Sequence, residues 1–124
     1  MSGFAKDFEE LEIYILSREI VIEIYKLTQR DNFRKDYELV NQIRRAGISI
    51  MSNIAEGFDR GSKKEFILFL NYAKGSNGEV RAQIEVAKEI GYITIEEYEG
   101  LREKVVKNGR MISNFIKSIK MRMK

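Results

Sequence analysis

An all-α fold is the class this sequence predicts, on three observations. Proline and cysteine are both absent. Apolar residues recur at three- and four-residue steps almost throughout, the period of a helix rather than of a strand. Helix start and stop signals fall between those periodic runs. A chain of 124 residues has room for one domain whose core hides roughly two-thirds of the surface of the unfolded chain. The expected architecture is an antiparallel up-down four-helix bundle, with helices at about 8–28, 36–57, 62–90 and 95–121.

The first helix opens on Asp7, Glu9, Glu10 and Glu12, carboxylates that suit the positive end of a helix dipole. Ile13, Ile20, Ile24 and Leu27, joined by Tyr14, Ser17 and Val21, make one face; Leu11, Ile15, Ile22 and Tyr25 make a second, offset from it. So wide an apolar arc on a helix with an outer side predicts self-association. Residues 29–35 are a polar connector, in which Phe33 is placed to fold back over the bundle end and Asp36 to cap the next helix.

The second helix carries a small apolar face, Ile43, Ala46, Gly47, Ile50 and Ile54, edged by a polar stripe of Gln42, Arg45, Ser49, Ser52 and Glu56. Gly57 is read as its left-handed stop, and Ser62 with Glu65 as a capping box opening the third helix. A turn this short makes the two helices antiparallel neighbours.

Phe66, Phe69, Leu70, Ala73, Val80, Ile84, Ala87 and Ile90 form the inner face of the third helix. Gly75 and Gly78 interrupt it, each at about 1 kcal/mol relative to alanine, and the plain reason is close backbone approach. Ser76 and Glu79 then face Arg45, Ser49, Asn53 and Glu56 of the antiparallel neighbour, so an interhelical polar network is expected. Gly91 ends this helix, and Thr94 with Glu97 is a second capping box. The fourth helix has a heptad-like seam of Tyr98, Leu101, Val105, Asn108, Ile112, Phe115 and Ile119, with Asn108 the polar intruder placed to fix register.

Charge is unevenly distributed. Residues 101–124 hold eight basic residues against Glu103 alone, +7, whereas the whole chain is +3. On the fourth helix Lys107, Arg110, Asn114, Lys117 and Lys124 lie opposite the seam, with Lys120 nearby, a basic face suited to phosphates. Arg44, Arg45, Arg60, Lys63 and Lys64 are further candidates for the same contact. Without histidine or cysteine, the commonest general base, triads and thiolate metal sites are excluded. A catalytic site would have to rest on Glu56, Glu79, Tyr72 or a lysine, types that structural ion pairs also supply. No enzyme activity, cofactor or metal is expected. The acidic start and the absence of a long uncharged run predict a cytoplasmic chain that spans no membrane.

The chain resembles the small bacterial four-helix-bundle proteins first noticed as products of reading frames inside intervening sequences of large-subunit ribosomal RNA genes. FEELEIY and EIYKLT in the first helix, QIRRAGISIMSNIAEG in the second, SKKEFILFLNYAKGS with Glu79 in the third, and EIGYI before the fourth carry the likeness, over residues 8–120. A more distant similarity is to the accessory variability determinant of diversity-generating retroelements, a basic partner of a reverse transcriptase. The resemblance implies a four-helix bundle assembled as a ring-like homopentamer, without enzyme activity. Met51 stands where that family usually has proline, Ile15, Leu16 and Ile22 where it is often polar, and Gly78 where alanine is common.

Two functions follow. In one, a homo-oligomer meets RNA or DNA through its basic faces. In the other, the bundle is an adaptor or scaffold whose apolar surfaces bind its own copies or another protein, such as a reverse transcriptase, and whose charge serves solubility.

Overall fold

The computed structural model describes residues 5–123, which are helical and contain no strand. A 3-10 turn, Phe8–Glu10, precedes α1 (Glu12–Thr28), α2 (Asp31–Lys35), α3 (Tyr37–Asp59), α4 (Lys63–Ile90) and α5 (Ile95–Arg122).

The first helix is shorter than its charge pattern predicts because Leu11 adopts an extended conformation (ψ 130°) that turns its side chain into the core, where it is 5% exposed. Of the two apolar stripes on α1, the first is buried or half-buried and the second divides. Leu11 is buried, Ile15 and Tyr25 are half-buried, and Ile22 faces outward.

The expected connector is mostly a short helix, α2. It exists to bury Phe33, which stacks on Tyr92 at 4.9 Å and packs with Val40, Ala87 and Ile93 as a second, smaller core at one end of the molecule. Asp36 caps α3 by accepting the Leu39 N–H at 3.1 Å, and its other oxygen accepts the Tyr92 hydroxyl at 2.9 Å. One carboxylate thus ties the start of α3 to the turn after α4.

Gly57 does not stop α3, which continues to Asp59. A Cβ there would lie 2.7 Å from Phe69 Cβ and 3.0 Å from the Phe66 ring, so this glycine serves the closest approach of α3 to α4. Gly61 takes the left-handed conformation instead, at φ 75°. Ser62 Oγ then accepts the Glu65 N–H at 3.3 Å, half of the expected box. Gly91, at φ 97°, closes α4 as predicted, and Thr94 and Glu97 exchange both bonds of a capping box, at 2.9 and 3.1 Å.

α1 packs on α3 and α5, and α4 packs on the same two helices from the other side. Contacts run in opposed order along the chain. From α1 and the turn that follows it to α5 they are Ile13 to Asn108, Glu23 to Lys104 and Arg30 to Glu97; from α4 to α5 they are Phe66 to Phe115, Asn77 to Asn108 and Lys88 to Tyr98. The main core lies between them. Ile20, Ile50, Ile54, Phe66, Leu70, Ile84, Leu101, Ile112 and Ile119 are all essentially inaccessible, each side chain contributing about 1.5–3 kcal/mol of transfer free energy against its ordering cost.

Candidate nucleic-acid interface

A polar pin in the core sets how α4 and α5 meet. Asn108, fully buried, donates from Nδ2 to the Ile13 carbonyl of α1 at 3.1 Å, and its Oδ1 accepts from Asn77 Nδ2 of α4 at 3.1 Å. Asn77 Nδ2 also reaches the Val105 carbonyl at 2.8 Å. Gly109 makes room for this amide, since a Cβ there would sit 2.9 Å from Asn77 Oδ1. The polar intruder of the α5 seam therefore bonds across helices, as its position predicted. Its partner Asn77 was not singled out, although it stands four residues after Ala73 and seven after Leu70 on the inner face.

The basic side chains organise around that contact. On α4, Lys63, Lys74, Arg81 and Lys88 stand eleven, seven and seven residues apart, close to whole numbers of turns, so they form one row. The row lies on the α5 side, because Lys88 Nζ sits 4.2 Å over the Tyr98 ring of α5. On α5, Arg102 and Lys120 lie seven residues before and eleven after Gly109, the residue that meets α4, and Arg110 and Lys117 stand beside that line. Two rows of cations thus flank the outside of the α4/α5 seam, interrupted by Glu85 and Glu99. Lys88 is paired with Glu89 at 3.7 Å; Lys63, Lys74, Arg81, Arg102, Arg110, Lys117 and Lys120 form no ion pair with a described residue. All seven are exposed except Lys63, which is half-buried.

The structure divides the predicted contact residues. Lys107, Arg110, Lys117 and Lys120 are exposed on α5, and Lys124 lies outside the described residues. The basic face of α5 begins only at Lys107, since the outer side of the preceding turns carries Glu96, Glu99 and Glu103. Lys63 and Lys64 open α4 at the end where α5 finishes. Arg44 is held against α1, its Nε donating to Thr28 Oγ1 at 2.9 Å and its guanidinium 4.2 Å over the Tyr25 ring. Arg60 is engaged with Glu56 at 2.7 Å and lies 4.8 Å over Phe69; the hydrogen bond to Glu56 raises its already high pKa. Arg45 is exposed beside a groove of about 520 Å³ between α1 and α3, lined by Tyr25, Ile48 and Ser52 among others, and distant in the fold from the α4/α5 rows. Lys74, Arg81 and Arg102 were missed, and their seven-residue spacing relative to Lys88 and Gly109 was the signal that could have found them.

The expected network between Arg45, Ser49, Asn53, Glu56, Ser76 and Glu79 does not form. Asn53 bonds Ser49 within its own helix at 2.8 and 3.2 Å, Glu56 pairs with Arg60, Ser76 is buried, and Glu79 is exposed. The register turns Glu79 to solvent while Asn77, two residues earlier, turns inward. Gly75 and Gly78 are exposed, with open space where a Cβ would go, so close approach within the chain does not explain them. Phe69 is half-buried and Ile90 is 55% exposed rather than inner-face residues. Gln83 Oε1 is buried between α3 and α4 without a protein partner.

Among the described residues no group of three or more acidic side chains could hold a metal ion, and no helix is long and apolar enough to cross a membrane. Chemically, then, the best-organised feature is a linear cationic surface.

Comparison with known proteins agrees with this helical architecture. No curated protein matches the sequence. A crystal structure of a protein of unknown function from the S23 ribosomal protein family of Bacteroides thetaiotaomicron VPI-5482 is similar, with a TM-score of 0.77 and 30% identity, covering 85% of this chain and 98% of that one. The family model described as 23S rRNA-intervening sequence protein matches residues 9–114. That match takes in α1 to α4 and most of α5, and the chain belongs to the 23S rRNA-intervening sequence protein family.

Proposed function

We propose that this protein is a non-enzymatic, cytoplasmic homo-oligomer, built of antiparallel up-down four-helix bundles, that associates with nucleic acid through the α4/α5 seam. The observation that carries the reading is the pair of cationic rows, seven of whose side chains have no counter-ion among the described residues. Cations left unpaired over several turns are suited to displacing the counter-ions of a polyanion. Repeating the seam around a ring of five copies multiplies a modest field into a strong one.

Self-association is supported by a second feature of α4. Leu68, Tyr72, Val86 and Ile90 are exposed in one row, with Gly75, Glu79 and Ala82 between them at the three- and four-residue steps of a helix-packing seam, Glu79 being its one charged member. Two small residues in mid-row allow another helix to come close. A second copy seated on this row leaves the cationic rows, on the α5 side of the same helix, open. The same apolar row is what favours the alternative reading, an adaptor for another protein such as a reverse transcriptase.

Light scattering and fluorescence anisotropy with a labelled structured RNA test both parts. The expected result is a multimer that binds RNA with an affinity falling by three to four orders of magnitude between about 50 and about 200 mM salt, the drop for roughly seven phosphate contacts. A stable multimer that ignores RNA and DNA at low salt overturns the nucleic-acid reading in favour of the adaptor. A monomer at micromolar concentration overturns the oligomer.

A further inference from the structure

Resting on the nucleic-acid reading, we infer that the α4/α5 seam takes a duplex, grasped by its two phosphate backbones, rather than a single strand. The first argument is geometric. From Lys63 to Lys88 the α4 row rises through 25 residue steps, or about 37 Å at 1.5 Å per step, close to one turn of a double helix at about 34–36 Å. From Arg102 to Lys120 the α5 row rises through 18 residue steps, or about 27 Å. The two helix axes lie roughly 8–10 Å apart, so the cations form a straight double track.

A straight track suits a stiff ligand. Duplex DNA has a persistence length of about 50 nm, so it lies along 37 Å without an ordering cost, and it carries one charge per about 1.7 Å of axis. The cations on α4 are spaced by about 11–17 Å. A single strand would have to be held taut between such distant points, and it has fewer charges per length to offset that loss of freedom.

The second argument concerns the rings. Proteins that hold single strands without sequence preference stack successive bases on open aromatic side chains, worth about 1–3 kcal/mol per base. Among the described residues no ring along this seam is open. Tyr98 lies under Lys88 Nζ, Phe66 is fully buried, and Phe115 packs on Phe66. Phe69 lies under Arg60, and Tyr72, edge-on to Phe69, belongs to the apolar row on the far side of α4. Amides that could read base edges are few, since Asn77 is used in the core and Asn71 Nδ2 donates to the Ile67 carbonyl, which leaves Asn114 among the cations of α5. What remains is chiefly phosphate chemistry, which RNA and DNA duplexes share.

The test uses the full chain in anisotropy competition at one fixed salt concentration. Competitors are RNA and DNA duplexes of about 20 base pairs, two turns, and unstructured single strands matched in total phosphate. At about 0.2 M salt, duplexes of both kinds are expected to compete at about tenfold lower phosphate concentration than single strands, since roughly seven contacts release about 0.9 counter-ion each from a duplex and about 0.7 from a single strand. A K74E/R81E double variant should lose that duplex binding. K26E, on the exposed side of α1, should keep it. Equal or tighter binding of single strands overturns this inference and leaves the nucleic-acid reading standing. Loss of binding in K26E equal to that in K74E/R81E overturns the seam as the site. Absence of binding to every competitor overturns both readings.

Discussion

Removing the carboxamide of Asn108 tests the core contact on which the seam is built. The side chain is fully buried and makes two interhelical hydrogen bonds, to the Ile13 carbonyl and from Asn77 Nδ2, each 3.1 Å long. Asn108→Ala loses both, at about 1 kcal/mol each net, and leaves a carboxamide-sized hole costing up to about 1 kcal/mol more. The expected loss is about 2–3 kcal/mol. Asn108→Leu should behave differently because it refills the hole and orphans nothing. Ile13 O keeps its bond inside α1, and Asn77 Nδ2 keeps the Val105 carbonyl at 2.8 Å. Its cost should lie within about 1 kcal/mol of zero. The assay is urea unfolding at one fixed protomer concentration, since association adds to apparent stability. A double-mutant cycle with Asn77→Ala should return a coupling of about 1 kcal/mol between the two amides. Equal losses for the alanine and leucine variants, or a coupling near zero, would refute the reasoning.

Gly57→Ala gains about 1 kcal/mol of helix propensity but drives a methyl into Phe69 Cβ and the Phe66 ring, an overpacking of about 1–3 kcal/mol; a lower urea midpoint is expected, and a higher one would show that α4 moves aside cheaply. At Gly75 and Gly78, where a methyl meets open space, alanine should stabilise each protomer by up to about 1 kcal/mol; light scattering should find G75A less associated and G78A unchanged, because only Gly75 stands in the apolar row. Glu97 has its pKa held below the ordinary 4.5, first by the Thr94 N–H and then by Arg30. A lowered carboxyl pKa stabilises the fold above the unfolded value and ceases to do so as pH falls through the folded one, so E97Q should be weaker near neutrality, within about 1 kcal/mol for so open a pair. That deficit should vanish below the carboxylate range; a deficit independent of pH points to packing instead.

Local chemistry is what the sequence made legible. Ser62, Thr94 and Gly91 act within one turn of themselves, and each was placed correctly because the hydrogen bonds that define a cap need no distant partner. Asn108 was legible for a related reason, since one amide in an apolar seam must find bonds across it. Gly57 was read as the left-handed stop, a conformation that Gly61 takes instead, because the aromatic wall of Phe66 and Phe69 that claims Gly57 is a fact of packing. The supposed network failed through register. Each residue turns a helix by about 100°, so the two steps from Asn77 to Glu79 turn it by about 200°, which buries the first and exposes the second. The cationic rows were hidden by averaging, since residues 61–100 sum to −2 although Lys63, Lys74, Arg81 and Lys88 share one side of α4. Net charge locates polyanion surfaces poorly when helices segregate their signs around the axis.

The same register argument links the core to the surface. A buried amide pair that nearly breaks even against leucine contributes little stability, so its physical effect lies in which alignment of α4 and α5 is populated. Asn77, Gly109 and Asn108 meet at one height of the two helices, and the cationic rows are laid out from that height in both directions. A leucine at position 108 bonds to nothing, and it permits neighbouring alignments of similar energy, in which the rows no longer run side by side at the spacing a rigid duplex meets. Asn108→Leu should therefore keep its urea midpoint, lose duplex affinity severalfold, and show a shallower dependence of log affinity on log salt, by about 0.9 for each phosphate contact no longer made. Hydrogen exchange along α4 and α5 would register the added freedom directly. Undiminished duplex binding by a stable Asn108→Leu protein would mean that packing alone aligns the two helices, and that the amide pin has no part in the function of the seam.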